Sequence, residues 1–486
     1  MDLFIDRDDR RALSTQLYEQ VRGAISDGRL RAGDPMVPSR QLAVDLGVAR
    51  HTVTTAYGRL TAEGFLDGRA GGGSVVAPTA PSPTIRLRRA TALPPAPRWK
   101  GRGPRPSLDD SLIRFDMRPG RPDPTIFPFD PWRRELARAG ASPVPGAEDV
   151  IGIAALRRSI AQWVARTRSL VADEHTIVVT TGSQHAIDVV CRVVLGPGDV
   201  VAVEDPGFVH LRPLFHALGA RVVPVPVDGG GLVVDRLPDR ARMVFVTPSH
   251  QYPLGVTMSL ERRRDLLAWA ARNHAAIVED DFESEFRYVD RPLEPLQRLD
   301  DNGSVIYVGS FWKTMSPAVR VGFAVVPTSL VHPVGAVLDA TDCVPSPTVQ
   351  LALSRLIDSG RLDHHLRRAR RTYQARHRLL IASLDRSTGG PLSDALTLRP
   401  SNSGLHLTAE LAVAADEATV VAEALRRGVA ISGLSRHYDS SYQRSTRVKA
   451  PVGLVMGFGA IAAARLPAAI EIVAATIADV AHSATR

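Results

Sequence analysis

Cysteine is nearly absent from this chain, and so are apolar runs of membrane-spanning length. The 486 residues include two cysteines, Cys191 and Cys343, which lie far apart in apolar surroundings. They make neither a disulfide framework nor a metal-ligand cluster, so a reducing compartment is expected. The most apolar stretch, from Gly453 onward, is interrupted by charged residues and proline, and the acidic start is unlike a signal peptide. We therefore expect a cytoplasmic protein with no membrane partner.

Lysine is the second scarcity. The chain has three lysines, Lys100, Lys313 and Lys449, and arginine replaces lysine nearly everywhere else. Arginine keeps its proton near neutral pH and forms no Schiff base. Lysine can lose its proton and can form a Schiff base. Lys313 is the strongest candidate for such chemistry, because it follows an apolar predicted strand at residues 305–309.

Excess positive charge is concentrated in one segment. Residues 79–106 hold seven basic residues and no acid, and the net charge of the whole chain is +9. The segment is also rich in proline, which fixes φ and removes backbone donors, so it is predicted to be an extended linker. The chain length favours two or three domains. We predict a head at residues 1–78, a linker at 79–112 and a body at 113–486.

The head shows helical periodicity followed by a hairpin pattern. Apolar residues recur at helical spacing in three segments, which predicts three helices. The first covers residues 13–25, the second is a short helix that Ser39 can cap, and the third covers about 50–63. Two short strands around the glycines at 71–73 follow. This order predicts a winged helix-turn-helix. The third helix would bury Val53, Ala56, Tyr57 and Leu60.

Such a fold reads DNA with polar and basic groups at the start of its third helix. The amides of the preceding helix face phosphate, and a glycine-rich wing approaches a minor groove. The same arginines could instead form a solvated surface, and a small head with balanced charge could be a dimerisation module. The candidate DNA-binding residues are Ser39, Arg40, Arg50, His51, Thr52, Arg69, Gly72 and Gly73.

The head resembles GntR-type regulators. The matching residues are 38–43, 46–53, 56–60 and 62–66, which read PSRQLA, LGVARHTV, AYGRL and AEGFL. The resemblance covers nearly the whole head. It implies that the third helix and the wing contact a double-stranded DNA operator.

The body alternates short valine- and isoleucine-rich runs with longer amphipathic segments. This pattern predicts an α/β domain with a largely parallel sheet covered on both faces. From about residue 345 the pattern changes to arginine-rich helices, which predicts a second, smaller subdomain. The predicted strands are 177–180, 200–203, 222–225, 243–247, 276–279, 305–309 and 323–326.

Residues that follow these strands make a candidate cradle for pyridoxal phosphate. Lys313 would hold the aldehyde, while Ser310 and Arg320 would bind the phosphate. Asp280 closes a strand and would face the pyridine nitrogen, because that nitrogen needs a carboxylate to stay protonated.

A second group of residues completes this cradle. Ser183 and Gln184 open a helix after strand 177–180, where backbone amides can bind phosphate, and Phe208 would stack on the ring. Each residue alone has an ordinary alternative as a surface lysine, a helix cap, a solvated amide or a core phenylalanine. Their order at the strand ends of one α/β pattern favours the cofactor.

The body resembles fold-type I aminotransferases, and head and body together resemble the MocR-type subgroup of GntR regulators. The resemblance implies large and small aminotransferase-like domains, a head-to-tail homodimer, and pyridoxal 5′-phosphate on Lys313. It also implies cofactor contacts from His250 and Gln251, and an amino compound or the cofactor itself as effector. The matching stretches are 181–186, 204–208, 247–255, 279–286 and 307–322.

The chain departs from the family pattern at two places. Phe282 stands where the family often has a tyrosine that hydrogen-bonds the cofactor's phenolic oxygen, and residues 453–458 hold no arginine for a substrate carboxylate. Arg436 is either a substitute in effector binding or a solvated loop residue. His364 and His365 are expected to be solvated, and no metal site is expected.

Three functional hypotheses follow. The first is a DNA-binding transcription regulator whose body senses an amino compound through pyridoxal phosphate. The second is an aminotransferase with a vestigial head, which steady turnover would reveal. The third is a sensor of the cofactor level itself, whose DNA binding would respond to pyridoxal phosphate alone.

Overall fold

The described part of the chain forms two compact units, residues 1–96 and 97–486. The computed structural model describes residues 3–9, 11–69, 73–78, 96, 99, 103, 109–141, 143, 149–288, 294–316, 319–385, 389–399, 401–439 and 450–484, without the side chains of residues 69 and 484. The division falls inside the predicted linker, most of which lies outside these ranges. In the described segments, no helix has the length and apolar character needed to cross a membrane.

The head consists of three helices and a β-hairpin. They are α1 (Leu13–Ser26), α2 (Ser39–Asp45), α3 (Arg50–Ala62), β1 (Leu66–Arg69) and β2 (Gly73–Val76). The strands pair antiparallel, with Leu66 opposite Val76. The buried residues of α3 are the four that its periodicity predicted, and the predicted winged helix-turn-helix is confirmed.

The predicted cap of α2 is wrong. Pro38 occupies the N-cap position, and Ser39 is the first helical residue. The chain enters the helix through the extended backbone that proline favours, so the capping position carries no side-chain oxygen.

The body follows the predicted α/β alternation. Its first half contains β3 (Phe115–Asp116), α4 (Phe129–Gly140), α5 (Ala154–Arg168), β4 (Ile177–Thr180), α6 (Ser183–Val194), β5 (Val200–Asp205), α7 (Arg212–Ala217), β6 (Arg221–Asp228), β7 (Gly231–Leu232), β8 (Ala241–Val246), α8 (Leu260–Asn273) and β9 (Ala276–Asp280). The second half contains α9 (Leu296–Leu299), β10 (Val305–Ser310), β11 (Gly322–Val325), α10 (Thr328–Thr341), α11 (Pro347–Asp358), α12 (Arg361–Leu384), β12 (Leu396–Leu398), β13 (His406–Leu411), α13 (Glu417–Arg426), β14 (Val429–Ala430), β15 (Ser432–Gly433), β16 (Gly453–Gly457) and α14 (Leu466–Ala484).

An eight-stranded sheet forms the centre of the body, in the order β4-β11-β10-β9-β8-β5-β6-β7. Strands β6, β5, β8, β9 and β10 are parallel, whereas β11 is antiparallel to both of its neighbours. Alternate residues point to opposite faces. Val201 and Val203 therefore join a core with α6 and α10, while Ala202 and Val244 join a core with α8. Both faces are covered, as predicted.

A smaller antiparallel sheet follows in the order β12-β13-β16-β15. His406 begins β13 and lies opposite Gly457 of β16. The parallel pair β3–β14 ties the first strand of the body to this later region.

Candidate functional site

Seven of the nine predicted cofactor residues converge on one cavity of about 720 Å³. Strands β4, β9 and β10 run in the same direction, because β11 is antiparallel to both β4 and β10 while β9 and β10 are parallel. Their carboxyl ends therefore meet at one edge of the sheet, where α/β folds bind ligands. The cavity is lined by Lys313, Asp280, Arg320, Ser310, Ser183, Gln184 and Phe208, among other residues.

Lys313 faces the cavity with 14% of its side chain exposed. Its Nζ lies 3.0 Å from Glu283 Oε1 and 3.0 Å from the centre of the Phe282 ring. Burial lowers the pKa of Lys313, against the opposing pull of Glu283. A lysine with a depressed pKa reaches the neutral, nucleophilic form more easily.

Asp280 is the last residue of β9 and also lines the cavity. Burial raises its pKa to about 7, although Lys313 acts in the opposite direction. Among the described residues, no side chain or amide donates a hydrogen bond to its carboxylate. A cationic ring nitrogen would supply the partner that this half-buried acid lacks.

Another part of the cavity lining has the features of an anion site. Helix α6 begins in this part of the lining at Ser183, after Gly182 with φ 121°. Among the described side chains, none caps the first amides of this helix. A Cβ on Gly322 would lie 2.6 Å from the Gly182 carbonyl carbon, so glycine permits this close packing. Arg320 is exposed toward the cavity and makes no ion pair with any described acid. Free amides beside a guanidinium are suited to phosphate.

Phe208 belongs to an aromatic wall of the cavity. Its ring stacks on Tyr252, with centroids 4.3 Å apart and planes at 11°, and it meets Phe282 edge-on at 4.9 Å. Apolar walls with a few placed polar groups are typical of cofactor sites.

Three of the predicted binding residues lie outside the cavity lining. His250 is fully buried, with its ring parallel to that of Phe282 at 6.0 Å. The Gln251 amide donates to Glu204 and to the carbonyls of Pro206 and Tyr252 instead. Arg436 is exposed and is not among the residues that line the cavity.

Sequence reasoning missed several residues of the site. His185, His210 and Glu283 line the cavity, and His406 lies behind Glu283. Glu283 stood within a recognised motif without a role, whereas His406 carried no local signal at all. The expectation that His365 is solvated is wrong, because it is buried and its Nε2 lies 2.7 Å from the Thr314 carbonyl oxygen, next to Lys313.

The predicted DNA-binding residues lie at the start of α2 and α3. Arg40, Arg50 and His51 are exposed, whereas Ser39 and Thr52 are half-buried. Gly73 begins β2 and is exposed. The Arg69 side chain and Gly72 lie outside the described residues.

Comparison with known proteins decides the family. Residues 13–76 match the model of bacterial regulatory proteins of the gntR family, and residues 123–450 match that of aminotransferase class I and II. The chain is 36% identical to the probable rhizopine catabolism regulatory protein MocR of Rhizobium meliloti, over 94% of this chain and 92% of that protein. The chain belongs to the MocR-type subgroup of the GntR family. This MocR-type chain is also 33% identical to the pyridoxine biosynthesis transcriptional regulator PdxR of Corynebacterium glutamicum, over 92% of each.

The solved structures extend the likeness of the body. A kynurenine aminotransferase of Pyrococcus horikoshii matches 75% of the MocR-type chain and 91% of its own, with a TM-score of 0.67 and 25% identity. The protein is therefore a transcription regulator with a helix-turn-helix head and a fold-type I aminotransferase-like body.

Proposed function

We propose that the body binds pyridoxal 5′-phosphate in the cavity at the sheet edge and thereby controls how the head binds DNA. The observation that carries the proposal is the convergence of Lys313, Asp280, Arg320 and the start of α6 on one cavity. Lys313 would hold the aldehyde, Asp280 the ring nitrogen, and Arg320 with the α6 amides the phosphate. When bound, the cofactor supplies a carbonyl group that exchanges between the lysine and the amino group of a ligand.

The proposed effector is an amino compound or the cofactor itself. An effector can shift an equilibrium only by binding one conformation of the body more tightly than another. The names of two relatives, one concerned with rhizopine catabolism and one with pyridoxine biosynthesis, support a small-molecule signal for this subgroup.

The site favours regulation over efficient transamination. Phe282 has no hydroxyl to donate to the cofactor, and Arg436, the candidate for a ligand carboxylate, does not line the cavity. A site without these groups holds a ligand less firmly in one reactive orientation.

Absorption spectroscopy tests the cofactor site. With pyridoxal phosphate, the native protein should show a visible band that borohydride removes, and Lys313→Ala should lack it. Lys100→Ala is the matched control, because it removes one of the other lysines and should keep the band. A band that survives in Lys313→Ala would contradict the assignment, and rapid turnover of an amino acid with a keto acid would favour an enzyme.

A further inference from the structure

Glu283 is held in a strained backbone conformation directly beside Lys313. Its φ is 58°, in the left-handed region that non-glycine residues rarely occupy. Its carboxylate is fully buried, with Oε1 3.0 Å from Lys313 Nζ and Oε2 3.4 Å from His406 Nδ1. The carboxylate therefore lies between the lysine and a histidine.

The surrounding backbone closes tightly around this group. The Leu405 amide donates to Glu283 Oε2 at 2.7 Å. A Cβ on Gly120 would lie 3.4 Å from both Glu283 Oε1 and Lys313 Nζ, and one on Gly404 would lie 2.8 Å from Glu283 Oε2. Glycine at both positions lets the main chain cover the carboxylate.

The histidine nitrogen that faces Glu283 has room for a proton. His406 Nε2 lies 3.1 Å from the Pro253 carbonyl oxygen, which can only accept, so Nε2 carries a hydrogen. In a neutral imidazole, Nδ1 is then an acceptor, and it faces a carboxylate that also only accepts. Nδ1 has no hydrogen-bond partner and is fully buried. One added proton on Nδ1 would satisfy both groups.

We propose that Glu283 and His406 take up the proton that Lys313 gives up when its nitrogen bonds to a carbonyl carbon. This inference rests on the proposed binding of a carbonyl cofactor to Lys313. The ammonium and the carbonyl compound give a carbon–nitrogen double bond, one water and one proton. The proton passes along Glu283 to His406 Nδ1, and the resulting imidazolium replaces the ammonium as the partner of the carboxylate. Glu283 is thus a positioning residue whose negative charge is paired in both states.

The neighbouring titratable groups favour His406 as the site of this proton. His250 Nε2 lies farther from Glu283 Oε2, at 3.8 Å, and burial lowers the pKa of His250 to about 3. Burial also lowers the pKa of His437 to about 3, and it lowers that of His377. Around Glu283, burial raises the pKa values of Tyr252, Tyr288 and Tyr373, so these tyrosines stay neutral.

The acids near Lys313 complete the charge pattern. Asp280 and Glu285 both favour its ammonium form, and burial raises the pKa of each acid. Burial also acts to raise the pKa of Glu283, but the Lys313 ammonium holds it well below its usual range.

The pH dependence of cofactor binding tests the inference. In His406→Gln the proton that Lys313 gives up must leave for solvent. The binding of pyridoxal phosphate to this variant should therefore tighten as the pH rises, relative to its binding to the native protein. The ratio of variant to native dissociation constants for pyridoxal phosphate should fall by up to about tenfold per pH unit below the pKa of Lys313. The ratio cancels the titration of the cofactor itself. His377→Gln is the control, since it removes a buried histidine outside the cluster and should give a constant ratio.

A second measurement needs no variant. In a ¹⁵N spectrum of histidine-labelled native protein, one imidazole should change from neutral to doubly protonated on addition of pyridoxal phosphate. A visible band with a constant ratio and no histidine protonation would overturn the inference and leave the proposed function intact. Absence of the band in the native protein would instead contradict the proposed function. A stoichiometric divalent metal in the purified protein, bound at the place of the proton, would also overturn the inference.

Discussion

At the scale of single residues, Asp280 lowers the stability of the cofactor-free protein at high pH while it provides a partner for the cofactor. Its carboxyl is half-buried in the cavity lining without a described donor, and its pKa is raised from 3.8 to about 7. The folded cofactor-free protein holds a proton that the unfolded chain releases above about pH 4. The contribution of Asp280 to stability is therefore greatest below that pH and is lost as the pH rises through about 7.

Asp280→Asn should accordingly stabilise the cofactor-free protein at pH 8 and change it little near pH 4. It should also weaken pyridoxal phosphate binding, because the ring nitrogen loses its counter-charge. Thermal unfolding at both pH values and a cofactor titration measure the two effects. The control is Asp188→Asn, which changes another cavity-lining acid, one that is paired with Arg192. This variant should show neither the stabilisation at pH 8 nor the weaker cofactor binding. Equal stabilisation of Asp280→Asn at both pH values would contradict the raised pKa of Asp280.

Most site residues whose role depends on their own sequence neighbourhood could be predicted from the sequence. Lys313, Asp280 and Arg320 were predictable because each lies at or near the end of a predicted strand and has a reactive or charged group. His406 was not, because it reaches Glu283 only when β13 of the smaller sheet packs beside the loop after β9. The orientation of Glu283 was equally hidden, since it depends on a left-handed backbone angle.

At the scale of elements, a buried ion network holds the loop after β9. Arg168, at the end of α5, lies 2.8 Å from Asp281 and 3.2 Å from Glu285, and all three side chains are largely buried. The Tyr307 and Ser284 hydroxyls also donate to Asp281. This network fixes residues on both sides of Glu283 and so keeps its carboxylate beside Lys313.

Arg168→Met should lower the free energy of unfolding by about 3–5 kcal/mol, because it leaves buried carboxylates unpaired. Arg166→Met is the matched control: its ion pair with Asp363 is largely exposed on the arginine side and should contribute less than about 1 kcal/mol. Denaturant unfolding of both variants provides the comparison. Similar losses in the two would show that the network is not the support of this loop.

Helix α3 of the head gives a second prediction at this scale. Its buried face was predictable from periodicity alone, and Arg50 and His51 remain exposed at its start. Arg50→Ala should weaken DNA binding without unfolding the head. If Arg50 contacts a phosphate, the slope of log affinity against log salt should fall by about 1. Unchanged affinity and slope would place the DNA surface elsewhere.

At the scale of the whole molecule, the resemblance of head and body to MocR-type regulators predicts a head-to-tail homodimer. Light scattering should then give about twice the 52.5 kDa chain mass. DNA selected by the protein from a random pool should contain two symmetry-related half-sites, since two heads bind together. A monomer mass with a single half-site would contradict this arrangement.

The connection between cofactor and DNA is the central claim, and DNA affinity with and without pyridoxal phosphate tests it most directly. The probe is a fragment that the native protein itself selects, titrated with native protein, Lys313→Ala and the Lys100→Ala control. We predict that the cofactor changes the affinity or the footprint for native and control proteins and leaves Lys313→Ala unchanged. If all three bind DNA identically with and without the cofactor, the body does not signal to the head through Lys313, and the account is wrong.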